Sequence, residues 1–145
     1  MPKPFESTAT RAGEKMHYLM ESVHSPEDFD RLFGGDETYS ELVEAFHKSL
    51  TNPTVRHWFA PPEGWQVYTE PQFYSPKSGR TIRADRVLLN DTERQAIVLD
   101  YKFGEPHSAH RHQVAEYMTV LEEMGYSVTG YLWYRFTDLV TVQKR

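Results

Sequence analysis

The pattern of apolar and polar positions in this chain changes period once, near Gly64. Before that point apolar residues recur at helical spacing. Residues 10–24 place Ala12, Met16, Leu19, Met20 and Val23 along one helical face. Ser25-Pro26-Glu27-Asp28 predicts a second helix start, with Ser25 as cap, Pro26 in the first turn and Asp28 closing a capping box. That helix is short and stops at Gly34-Gly35. A third is predicted over about 38–50, with Leu42, Val43, Phe46 and Leu50 inward. Asn52-Pro53 then caps a further turn or two, ending before Pro61-Pro62.

After Gly64 the period falls to two. Residues 66–74 read as a strand ended by Pro76 and Ser78-Gly79, and residues 80–89 as the next, ended by Asn90-Asp91. Their closeness predicts an antiparallel hairpin. Residues 95–102 form a third strand whose centre, Ala96-Ile97-Val98-Leu99, is apolar on both faces, as in a strand covered from both sides. Residues 104–108 make a turn. Residues 110–124 form an amphipathic helix with Val114, Met118, Leu121 and Met124 inward and Gly125 as its stop. An aromatic-rich strand over 126–136 and a short edge strand over 139–143 complete the chain. The helix between the third and fourth strands permits a crossover, so the expected fold is α/β: a mixed sheet flanked by helices behind an N-terminal helical segment.

With 145 residues the chain is the size of one domain, mainly helical over 1–63 and sheet-bearing over 64–145. Aromatics reach 14%, which predicts an aromatic core. There is no cysteine, so disulfides, thiol catalysis, thiolate zinc sites and an iron–sulfur cluster are all excluded. No apolar run has the ~20 residues of a membrane helix and no secretory leader is seen, so the expected setting is cytoplasmic, away from any membrane. The net charge of −5 argues against a free-standing nucleic-acid binder with a broad basic face. Charge is segregated, however. Acid concentrates between Glu21 and Glu44, whereas Lys77, Arg80, Arg83 and Arg86 stand against Asp85 alone.

The chemistry centres on Asp85 and, fifteen positions on, Asp100-Tyr101-Lys102. Strand alternation makes Asp100 and Lys102 share a face. If the second and third strands pair, Asp85 lies beside Asp100. Two carboxylates so placed repel unless a cation lies between them, and Mg²⁺ prefers such oxygen donors. Lys102 can then orient a water or stabilise charge on a phosphate. The plain alternative is that these are strand-end charges in surface ion pairs, since D-x-K is a short pattern. Their position after a doubly apolar strand weighs against it, because buried charges are costly unless paired or used.

Arg83-Ala84-Asp85-Arg86-Val87, Val98-Leu99-Asp100-Tyr101-Lys102-Phe103-Gly104, Gln113-Val114-x-x-Tyr117 and Gly130-Tyr131-Leu132-Trp133-Tyr134 together resemble the RecB-like branch of the PD-(D/E)XK nucleases. The likeness is to the nuclease domain at the C-terminal end of AddA- and RecB-type helicase–nucleases, whose fold is restriction-endonuclease-like. It implies that Asp85, Asp100 and the Tyr101 carbonyl hold metal and that Lys102 is catalytic. It matches Glu70 to the family's glutamate on the preceding strand. It matches Gly13-x-x-x-His17 to a first-helix histidine, making His17 a further ligand. Gln113 and Tyr117, four apart on one helix face, match a Q-x-x-x-Y element that positions nucleic acid. Arg83 and Arg86 are the accompanying candidate DNA contacts.

The resemblance implies a Mg²⁺-dependent DNA nuclease, with Mn²⁺ able to substitute. It implies an exonuclease acting on single strands in double-strand-break repair and recombination. No Walker loop is present, so ATP-dependent unwinding belongs to a helicase domain or subunit, and the chain reads as a piece of a larger helicase–nuclease or as the partner of a motor. One departure is Ile82-Arg83-Ala84-Asp85, where the family has Gly-x-x-Asp or Arg-Pro-Asp. The alternative from another class is a nuclease-fold module that binds DNA or protein without cutting. His107, His110 and His112 invite a zinc reading, against which their loose spacing at a helix start counts.

Overall fold

The computed structural model describes residues 15–143, and its first helical residues, 15–20, form α1. Met16, Met20 and Val23 are buried, as the apolar stripe predicts. The helix ends at residue 20 instead of 24. Three i→i+3 bonds, Glu21 to Tyr18, Ser22 to Leu19 and Val23 to Met20, tighten the chain and turn it away. The predicted start at Thr10, with Ala12 and Gly13, lies outside the described residues.

Helix α2, Pro26–Phe33, carries the predicted capping box: Ser25 accepts the Asp28 N–H and Asp28 accepts the Ser25 N–H. The third predicted helix is divided. Asp36 caps a 3₁₀ turn at Glu37–Tyr39, and Tyr39, at φ −106° and ψ 13°, leaves the helical region before α3 begins at Ser40–Ser49. Helix α4, Pro53–Phe59, is capped by the Asn52 side chain on the Thr54 N–H. These short helices unite through buried aromatic rings. Phe46 stacks on Phe29 at 3.7 Å and meets Phe59 edge-on at 5.0 Å.

The strand region departs from the prediction at one instructive place. The predicted strand 66–74 is two strands, β1 (Gln66–Thr69) and β2 (Gln72–Ser75). The predicted strand 80–89 is likewise β3 (Arg80–Arg83) and β4 (Arg86–Asn90). They do form an antiparallel hairpin, β2 with β3 and β1 with β4, in a register that runs through the break without a slip. At the break Glu70 adopts φ 54° and the next residue, Pro71, has no N–H to give the ladder. Only the Glu70 N–H crosses, to the Asp85 carbonyl at 2.9 Å. The break also exchanges faces: Ile82, Ala84 and Val87 share one apolar cluster, so the inward positions change from even to odd at Asp85.

Strand β5, Gln95–Lys102, agrees with the sequence reading and pairs antiparallel with β4. Helix α5, Ser108–Glu123, crosses over to β6, Ser127–Tyr134, which lies parallel to β5. Strand β7, Asp138–Val142, forms the edge. The main sheet is therefore mixed, in the order β1-β4-β5-β6-β7, with β2 and β3 as a separate ribbon. Leu88, Leu99, Tyr101 and Trp133 face the layer of α1–α4, whereas Val87, Val98 and Leu132 face α5. Both faces of β5 are covered, which explains its continuous apolar centre.

Helix α5 begins two residues earlier than predicted because the His107 ring caps it, accepting the Ala109 N–H at 3.1 Å. Met124, predicted inward, is 55% exposed, because the helix has already ended and Gly125, at φ 99°, reverses the chain. Gly130 on β6 lets α5 pack closely: a Cβ there would stand 2.5 Å from Met118 Sδ. Among the described residues no helix is long and apolar enough to cross a membrane.

Candidate metal and phosphate site

Strands β4 and β5 are paired as far as Arg86 and Leu99. One residue further, side chains replace the ladder. Asp100 Oδ1 accepts the Asp85 N–H at 2.9 Å, and Asp85 Oδ2 accepts the Tyr101 N–H at 2.7 Å. The predicted neighbourhood of Asp85 and Asp100 thus follows from the antiparallel register, and the break in the hairpin turns Asp85 toward the gap.

The sheet opens here into a cavity of about 530 Å³ bordered from both helical layers. From α1 comes His17, whose Nδ1 is 3.4 Å from Asp85 Oδ1 and whose ring meets Phe103 edge-on at 5.3 Å. From α5 comes Gln113, whose Oε1 accepts from Lys102 Nζ at 3.1 Å. Lys102 Nζ also lies 3.8 Å from Asp100 Oδ2, as alternation on β5 requires. Tyr117, one turn beyond Gln113, places its hydroxyl against Asp100. Glu70 stands at the hairpin break with Arg83 Nε 3.2 Å from its Oε1.

The electrostatics are those of crowded carboxylates. Asp100 is only 3% exposed. Burial, then the charge of Asp85, raises its pKa well above the carboxylate range, with Lys102 opposing. Glu70 is raised first by burial, then by side-chain hydrogen bonding with Asp85 and by the Asp85 charge, with Arg83 opposing. Burial disfavours a charge on His17, but Asp85 outweighs it and raises the imidazole pKa. Burial, then the neighbouring Asp100 and Asp85, also keeps the Tyr117 phenol firmly protonated.

Eight of the ten residues singled out from the sequence line this cavity: His17, Glu70, Arg83, Asp85, Asp100, Lys102, Gln113 and Tyr117. Tyr101 takes part through its main chain, while its ring is buried beneath the sheet among Trp133 and Phe136. Arg86 must be corrected. It is fully buried, donates to the carbonyls of Val23, His24 and Trp58 at 2.6–3.1 Å, and lies over the Phe59 ring at 4.2 Å. It is a clamp between β4 and the helical layer and reaches no external phosphate. The change of face at Asp85 turns its side chain into the helical layer, whereas the sequence reading grouped it with Arg83 as a basic residue at the site.

Two lining residues escaped the sequence reading, Tyr18 and Glu21. Glu21 is four residues beyond His17, and that i, i+4 relation was the available signal. The histidines near α5 go separate ways. His107 caps the helix, His110 Nδ1 bonds the Tyr134 hydroxyl at 3.0 Å, and His112 lines a different groove.

Among the described residues no three His, Asp or Glu side chains form a preassembled metal-binding group. Asp85 and Asp100 instead accept main-chain N–H groups, and Glu70 is turned to Arg83. The donor set nonetheless fits a hard divalent cation: carboxylate oxygens dominate, one imidazole adjoins them, and their mutual repulsion is incompletely offset by Lys102 and Arg83. No family model matches this chain, and no curated protein matches it.

Proposed function

We propose that this chain is a divalent-metal-dependent deoxyribonuclease. The observation that carries the reading is the meeting of Asp85, Asp100, Lys102, Glu70 and His17 around one cavity, from four separate stretches of sequence. Asp85 and Asp100 would hold Mg²⁺ or Mn²⁺, with the Tyr101 carbonyl, His17 and Glu70 as the further candidates. When bound, such an ion polarises a phosphate and makes water a stronger nucleophile.

The chain's own groups supply the remainder. Gln113 steadies the Lys102 ammonium inside the cavity, where it can stabilise negative charge developing on a phosphate. Tyr117 stands beside Asp100 with its phenol protonated, so it can serve as a donor at the edge of the cavity. Arg83, 56% exposed, can hold a neighbouring phosphate at the rim. Exonucleolytic action on single strands, a role in break repair, an ATP-dependent helicase as partner and a cytoplasmic setting are supported by the family resemblance. The net charge of −5 agrees with a strand delivered by another component.

The test is cleavage of labelled single- and double-stranded DNA with Mg²⁺ against EDTA. Cleavage should require Mg²⁺ or Mn²⁺ and vanish in Asp85→Asn and Asp100→Asn. A folded chain inert with both ions would overturn the reading in favour of a non-cutting, nuclease-fold binding module.

A further inference from the structure

The β2–β3 ribbon has two unlike faces. Phe73 and Ile82 turn toward α5, where Phe73 meets the Tyr117 ring edge-on at 6.1 Å. Ser75 is buried on that face, and its partner Arg80 is 3.1 Å from Glu116 of α5. Alternation sends Gln72, Tyr74, Thr81 and Arg83 to the other face, and all four are exposed. Tyr74 is 60% exposed there.

This open face runs directly into the cavity, because Arg83 belongs to both. Residues 71–84 contain no Asp or Glu, and the one charge on this face is the Arg83 guanidinium at its cavity end; Arg80 pairs with Glu116 on the α5 side and Lys77 borders the groove there. A face free of carboxylates, with an exposed ring and a guanidinium beside a candidate phosphodiesterase site, matches a polyanion that also offers planar, unstacked rings. Single-stranded DNA has both properties, whereas a duplex keeps its bases stacked inside and offers Tyr74 only phosphate.

We propose that the face bearing Gln72, Tyr74, Thr81 and Arg83 is the entry track for single-stranded DNA, with Tyr74 stacking on a base and Arg83 holding the adjoining phosphate. The strand then passes to the cavity, which Tyr18, 71% exposed on α1, also borders. The proposal rests on the nuclease reading and adds to it the surface by which a single strand enters and the residues that hold it.

The experiment is fluorescence anisotropy of a labelled oligothymidylate with the whole chain, Ca²⁺ replacing Mg²⁺ to suppress cutting. Tyr74→Ala should weaken binding about tenfold, within the range for loss of one base–aromatic stack. Tyr74→Phe should bind as wild type, since stacking needs no hydroxyl. Tyr68→Ala, an exposed tyrosine on β1 outside this face, should also bind as wild type. Affinity for a duplex of the same length should be unchanged in Tyr74→Ala. Equal binding by Tyr74→Ala and wild type, equal weakening by Tyr68→Ala, or loss in Tyr74→Phe would each overturn the track. Wild-type protein that cleaves DNA while Tyr74→Ala binds normally overturns the track alone. Wild-type protein that neither binds nor cleaves overturns the nuclease reading beneath it.

Discussion

Asp85 and Asp100 exchange main-chain for side-chain hydrogen bonds where the β4–β5 ladder ends, each carboxylate accepting an N–H from the other's strand at 2.7–2.9 Å. The two groups most suited to hold a cation are thereby also the groups that close the end of the sheet. Their orientation is set by backbone geometry, and removal of either affects both architecture and chemistry.

Lys102 differs from them, because an ammonium is not a metal ligand and its partners are side chains, Gln113 and Asp100. Lys102→Ala should lower the cleavage rate on the order of a hundredfold or more while leaving divalent-cation affinity nearly intact. Single-turnover cleavage and calorimetric Ca²⁺ titration measure the two separately. Near-normal cleavage would reduce Lys102 to an ion-pair partner.

Carboxylate crowding should make the metal-free fold weaken with rising pH. Asp100 is raised to about 7 from an ordinary value of 3.8, and Glu70 to about 8 from 4.5. Between those limits the folded chain retains protons that the unfolded chain has released, so stability is full below about pH 4 and falls until about pH 8. Asp100→Asn keeps an oxygen for the Asp85 N–H and removes the charge. It should match wild type near pH 4 and exceed it near pH 8 by about 1 kcal/mol or more, a few degrees in Tm. Urea melts in EDTA at both pH values decide this; a wild-type profile flat from pH 4.5 to 8 refutes it.

Arg86 should matter for stability and not for DNA contact. Arg86→Met retains the stem but leaves the carbonyls of Val23, His24 and Trp58 without their donor. Each buried acceptor so orphaned costs about 1–3 kcal/mol, so a loss of about 3 kcal/mol is expected. Below its melting temperature the variant should bind oligothymidylate as wild type does. A folded variant with strongly weakened binding would place Arg86 at the DNA after all.

DNA binding by the isolated chain should be weak and salt-sensitive. Its exposed cations near the site are few, and phosphate neutralisation dominates non-specific affinity. Single-stranded DNA in Ca²⁺ at near-physiological salt should bind more weakly than micromolar, with affinity falling steeply as salt rises. Submicromolar binding under those conditions would point to an independently acting nuclease.

The helix caps at Ser25 and Asn52, the doubly covered strand 95–102, the crossover helix and the pairing of Asp85 with Asp100 were all legible in the sequence. Each depends on interactions a few residues long or on a strict period, and local chemistry suffices for both. Other features were decided only in three dimensions. The hairpin keeps its register but changes face at Glu70 and Asp85, a shift that alternation cannot anticipate because it depends on one left-handed residue before a proline. That shift turns Arg86 into the helical layer while Arg83 stays at the cavity rim, although both read alike as basic residues beside an aspartate. Glu21 and Tyr18 joined the site because α1 was brought across the open end of the sheet by contacts more than sixty residues apart in sequence. Local sequence determined the elements and the ligand types, and long-range packing determined which charges share the cavity, because burial is a property of the neighbours and not of the residue.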